Sequence, residues 1–188
     1  MRILFIADNS GLASALIMKE AMRAAWGNEN AYVVIAENTD EALVELIKRD
    51  WQFQAVLDLR TEPVTGIIKL CELVSHRWQP LYVHLANEGS DIFQLHYQHN
   101  HLEVIGPHIL WSKASISWEQ ELATKVICWL TSKKVSDWLQ RLQVGHEINR
   151  FLSYVSVHWA LLDEPLQAQL RETFVVNEDA SPVRVSLL

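Results

Sequence analysis

The chain has 188 residues, 49% apolar and 21% charged, with a formal net charge of −7. That length holds one domain of about 120–130 residues plus an extension, and the apolar share excludes wholesale disorder. The acidic balance argues against a general nucleic-acid binder, which needs clustered Lys and Arg to displace counterions, and no apolar run reaches the roughly 18 residues of a membrane helix.

The N-terminal RILFIA (2–7) reads as an apolar strand closed by the turn Asp8-Asn9-Ser10-Gly11. MRILFIADNS becomes acidic too early for a secretory signal, so a cytoplasmic protein is expected. Residues 12–26, rich in Ala, Leu, Met and Lys, predict a helix that Gly27 ends. AYVVIA (31–36) predicts a second strand. Asn38-Thr39 then offers an N-cap, with Asp40 and Glu41 in the first turn of a helix over 39–49. A third strand is expected at 53–58, a helix at 65–78 and a fourth strand in LYVHLA after Pro80. A helix from Gly89-Ser90-Asp91 to about 99, a weak strand at His108–Trp111 and a helix over 117–132 complete the alternation.

Five βα units in a row predict an α/β fold: a doubly wound, five-stranded parallel sheet with helices on both faces. Within it AVLDLRTEPVTG (55–66) is the most telling stretch. A buried run delivers one acid, Asp58, to the carboxyl end of a strand, where open α/β sheets place their chemistry.

The tail from 133 changes character, and a boundary is expected there: a sheet domain at 1–132, then a mainly helical extension at 133–188. Val135, Trp138, Leu139 and Leu142 continue or restart a helix, and Ile148, Phe151, Leu152, Val155, Trp159 and Leu162 form a long apolar stripe. Asp163-Glu164-Pro165 signals a further helix start, and TFVVN and VRVSLL read as two short strands around a turn.

The order of elements, AENTDEALVELIKRDWQFQAVLDL, and the spacing of Asp58, Pro63 and Gly66 resemble the receiver domain of bacterial two-component response regulators, over roughly residues 1–132. The resemblance implies phosphoryl transfer to an Asp with the help of Mg²⁺, a hydroxyl and a Lys. Carried over, it makes Asp58 the candidate phosphoacceptor and Lys113 the candidate pocket lysine. Asp8 and Asp58 become metal carboxylates, and Arg60 a metal ligand through its backbone carbonyl. It also implies docking through the fourth helix, fifth strand and fifth helix of that family, so a protein partner or homodimer is expected through the 108–132 face and the C-terminal helices.

The departures from that pattern matter equally. The first of the two acids that end the family's first strand is Ala7 here. The Ser/Thr that ends the fourth strand is Leu85, and Ala114 stands where a proline follows the lysine. Two carboxylates would hold Mg²⁺ weakly, and Leu85 has no hydroxyl to report phosphorylation. The expectation is therefore a pseudo-receiver: a non-enzymatic signalling or adaptor protein with a degenerate pocket. The alternative is a phosphorylation-switched regulator with a winged-helix-like DNA-binding output.

Simpler readings accompany these. Asp8 also suits the start of the helix near Ser10. His96, His99 and His101 lack the pattern of a transition-metal site. Cys71 and Cys128, without CxxC spacing, read as reduced, buried small hydrophobes. The late Trp residues 111, 118, 129, 138 and 159 fit core packing as well as an interface. No GxGxxG or GxxxxGK[ST] follows any strand, which argues against a nucleotide-binding enzyme. Residues 133–188 hold six basic and seven acidic side chains, with one Arg in PLQAQLRET and an acidic NEDASP turn, so DNA binding is not expected.

Overall fold

A parallel sheet forms because short apolar runs, too short for stable helices, recur between amphipathic segments. The computed structural model describes residues 1–60, 80–85, 108–111, 116–142 and 147–187, with the backbone alone at 84 and 108–111. The expected helices at 65–78 and up to 99, together with Pro63, Gly66, Cys71, His96, His99, His101 and Lys113, lie outside those residues. Two compact units divide between Thr124 and Lys125.

In the first unit β1 (Arg2–Ile6), β2 (Tyr32–Ala36), β3 (Ala55–Asp58), β4 (Leu81–Leu85) and β5 (His108–Trp111) form one sheet in the order β2-β1-β3-β4-β5. Every neighbouring pair is parallel. This is the strand order of flavodoxin-like folds, whose crevice opens between β1 and β3. β3 is in the middle of the sheet, and all four of its residues are buried.

Helix α1 (Leu12–Trp26) buries Ala15, Met18, Met22 and Trp26, a stripe at helical spacing. Helix α2 (Thr39–Lys48) begins where Asn38 accepts a hydrogen bond from the Glu41 N–H. Glu41 in turn accepts from the Glu37 N–H at 2.9 Å, which closes the first turn from both sides. Ala42 and Leu46 of α2 join Leu4, Ile6, Val56 and Tyr82 in one cluster, so the even-numbered residues of β1 and β3 face this helix.

The second unit begins within helix α3 (Trp118–Arg141), which passes through residue 133 without a break. Val135, Trp138 and Leu139 therefore continue a helix rather than restart one. Helices α4 (Glu147–His158) and α5 (Glu164–Thr173) follow, then an antiparallel ribbon of β6 (Val175–Asn177) and β7 (Arg184–Ser186). Asp163 caps α5 by accepting from the Leu166 N–H at 3.0 Å, with Pro165 in the first turn. The core joins Phe151, Val155, Trp159, Leu166, Leu170 and Phe174. Trp138 meets Phe151 edge-on, with centroids 5.6 Å apart. Trp118 and Trp159 are buried and Trp129 and Trp138 half-buried. Among the described residues no helix is long and apolar enough to cross a membrane.

Candidate functional site

The site lies at the carboxyl edge of the sheet. β3 ends in Asp58, which aligns with Ile6 of β1 and His84 of β4, and whose side chain is fully buried. A carboxylate in such a place needs a partner, because burial without one costs several kcal/mol. The partner comes from two residues further on.

The Arg60 guanidinium lies along both oxygens of Asp58. Nε donates to Oδ1 at 3.0 Å and Nη2 to Oδ2 at 2.8 Å. The Arg60 backbone N–H adds a third bond to Oδ1 at 3.2 Å. The remaining arm of the fork, Nη1, donates to Thr39 Oγ1 at 3.0 Å, at the start of α2. The planar fork suits bidentate pairing with a carboxylate. Burial pushes the Asp58 carboxyl above its usual value, and the bonds and charge of Arg60 pull against that shift. The hydrogen bond to Asp58 raises the guanidinium's own value, so Arg60 stays charged.

Asp8 occupies the loop after β1. Its Oδ1 accepts from the Ser10 hydroxyl at 2.6 Å, the Ser10 N–H at 2.9 Å and the Gly11 N–H at 3.2 Å. These bonds, the Ser10 hydroxyl foremost, hold its carboxyl below the usual value. The helix begins at Leu12 with Gly11 as its cap residue. Asp8 therefore organises the turn before the helix through its side chain.

The floor between β1 and β3 is closed. Ala7 is fully buried, and a Cβ on Gly11 would lie 3.4 Å from that of Ala7 and 3.1 Å from the Leu59 carbonyl oxygen. At the end of β4, Leu85 is 5% exposed and brings an apolar side chain to this edge.

Asp8 and Asp58 come close enough for their charges to interact, and Arg60 lies near both. Lys113 is not among the described residues. The sequence pattern points to the Arg60 carbonyl, and the structure brings into the site its side chain and Thr39. The signal for the former was an Arg two places after a strand-end acid.

Among the described residues this donor set leaves few open carboxylate oxygens for Mg²⁺, which asks for such oxygens and waters in octahedral array. Both oxygens of Asp58 are held by a guanidinium, and Oδ1 of Asp8 is engaged three times. Among the described residues the cation beside Asp58 is Arg60.

No family model matches the chain, and none of the curated proteins matches it. Among solved structures it is similar to a response regulator protein from Burkholderia multivorans, known in solution. The identity is 15%, over 69% of this chain and 94% of that one, with a TM-score of 0.45. At this level the likeness carries no functional inference, which has to come from the site itself.

In the second unit, the exposed Arg171 of α5 is held on both sides. Nη1 donates to Glu164 at 2.9 Å and Nε to Glu178 at 2.8 Å, while the guanidinium lies 5.5 Å from the centre of the Trp159 ring. Glu178 belongs to the turn of the ribbon, and its carboxyl is lowered by the Arg171 hydrogen bond. Three helices and a ribbon are the parts of a winged helix, yet the basic side chain of α5 is committed to neighbouring acids.

Proposed function

We propose that this chain is a receiver-like signalling or adaptor protein that works through protein–protein contacts, with its phosphoacceptor position held in an internal ion pair. It catalyses no turnover in this reading and acts in the cytoplasm. One observation carries the proposal: both oxygens of Asp58 are bound by Arg60 at 2.8 and 3.0 Å. A nucleophilic carboxylate needs a free oxygen and a metal to neutralise the incoming phosphoryl group. Here the guanidinium covers the first and replaces the second. Ala7 and Leu85 support the same reading, since neither side chain offers an acid or a hydroxyl. The strand order β2-β1-β3-β4-β5, with α2 against the even-numbered side, is compatible with a doubly wound receiver.

The test is incubation with Mg²⁺ and either acetyl phosphate or beryllofluoride, followed by Trp fluorescence and intact mass. The expected result is no change at millimolar Mg²⁺. A phosphoryl adduct that disappears in Asp58→Asn would overturn the proposal in favour of a phosphorylation-switched regulator. The DNA-binding alternative is opposed by Arg171, whose charge is directed to Glu164 and Glu178 rather than outward to phosphate.

A further inference from the structure

The sheet ends at β2, and no described strand pairs with its far side. Tyr32 donates its backbone N–H to Met1 at 2.8 Å, and Ala36 accepts from the Ala7 N–H at 2.9 Å. Residues 32, 34 and 36 thus turn their main-chain groups toward β1. The period of two sends those of Val33 and Ile35 to the outer edge. Proteins usually blunt such an edge with Pro, Lys, a bulge or an inward charge. YVVIA has no such residue, and its register with β1 runs unbroken from Tyr32 to Ala36. Tyr32 is exposed, and Val33, Val34 and Ile35 are half-buried.

A groove of about 430 Å³ adjoins this edge, lined by Val34, Ile35 and Val44, by Asp40 and Glu41, and by Glu45 and Lys48, which pair at 2.9 Å. Val44 is 46% exposed. The charge is graded along the groove. Asp40 and Glu41 lie in the first turn of α2, whereas Lys48 and Arg49 close its far end. There Arg49 stacks over the Tyr32 ring at 4.8 Å.

We infer that the outer edge of β2 docks an extended segment of a partner protein, added as a further parallel or antiparallel strand. Its apolar side chains lie against Val34 and Val44, and its Lys or Arg side chains lie at the Asp40/Glu41 end. Main-chain bonds from Val33 and Ile35 supply affinity, and the groove supplies specificity. Charge selects this occupant over a second copy of the chain. A copy would bring YVVIA, a strand without a cation, and the cations beside that strand are already engaged, Lys48 with Glu45 at 2.9 Å and Arg49 on the Tyr32 ring.

The test uses the full chain and two fluorescein-labelled peptides of alternating valine and threonine, one ending in two lysines and one in two glutamates. The basic peptide is expected to bind in fluorescence anisotropy, the acidic one at least about tenfold more weakly, and amide exchange at Val33 and Ile35 to slow in the complex. Ile35→Pro removes an outward N–H that the sheet does not use, so binding is expected to fall while the far-UV spectrum is kept. If that variant fails to fold, the pair Asp40→Lys and Glu45→Lys decides, because it should transfer preference to the acidic peptide. Equal binding of both peptides, binding of neither, or preference unmoved by the charge reversal overturns the proposal. So does a dimer in sedimentation that Ile35→Pro dissolves.

Discussion

Arg60 and Asp58 form a bidentate ion pair at the end of the central strand, with the carboxylate wholly buried and the guanidinium side chain 15% exposed. A pair this enclosed is costly to break from one side. Asp58→Ala leaves a buried guanidinium, and Arg60→Met leaves a buried carboxylate. Each is expected to cost about 3–5 kcal/mol in urea unfolding, whereas Asp58→Leu with Arg60→Met is expected to return close to wild type or above it. Additive losses in the double variant would mean that the two side chains do not act as a unit.

Arg60→Ala should also open the pocket to a cation. With both Asp58 oxygens released beside Asp8, Mg²⁺ binding is expected to appear at millimolar concentration in titration calorimetry. A titration identical to wild type would show that something other than the guanidinium keeps the cation out.

The two carboxylates should give opposite pH signatures. Burial raises the folded value of Asp58 above 3.8, so the folded state holds that proton more tightly than the unfolded one. Its contribution is fully present below 3.8 and is lost as pH rises through the folded value. The stability of wild type relative to Asp58→Asn should therefore fall with rising pH in that window. Asp8 is lowered from 3.8, so its contribution is present above 3.8 and lost as pH falls through the folded value. Relative to Asp8→Asn, wild type should lose stability on acidification. Unfolding midpoints between about pH 2.5 and 6 compare the two slopes, and slopes of the same sign would contradict the assignment.

Gly11→Ala tests the closeness of α1 to the site. The added Cβ would meet the Leu59 carbonyl oxygen at 3.1 Å, which the backbone cannot relieve by rotating a side chain. Overpacking costs about 1–3 kcal/mol, and the entropy gained by losing a glycine offsets roughly 0.4–1 of it. The net expectation is a loss of about 1 kcal/mol, read from thermal or urea unfolding. A stabilised variant would mean the crevice has room.

The second unit should ignore DNA. A gel-shift assay with random duplex at low salt, where electrostatic binding is strongest, is expected to show none. Glu164→Gln with Glu178→Gln frees the Arg171 guanidinium and should introduce weak, salt-sensitive retention. Tight binding by the unaltered chain would restore the winged-helix output as the leading reading.

Much of the fold was legible because its signals are local. The AYVVIA and AVLD runs, Asn38 before α2, and Asp163-Glu164-Pro165 before α5 each state a strand or a helix start within a few residues. Helix α3 passing through 133 was less legible, because the change in composition there marks no cap or breaker. Asp58 was legible as a strand-end acid. The role of Arg60 was not, since an Arg two residues on can reach solvent as easily as its neighbour.

The sequence by itself determined the alternation of elements from β1 through α2 to β3 and the place of Asp58 at a strand end, because periodicity and turn chemistry act over a few residues. It also determined the absence of an acid at Ala7 and of a hydroxyl at Leu85. Tertiary structure decided which groups meet. It set Thr39 on the third arm of Arg60, Leu59 against Gly11, and Glu164 and Glu178 on either side of Arg171. The meetings at Thr39 and Gly11 depend on chain folding over distances that carry no local signal. The pull on Arg60 is likewise tertiary: a carboxylate shut away from water by the sheet makes pairing with the nearest cation worth far more than the same contact at the surface.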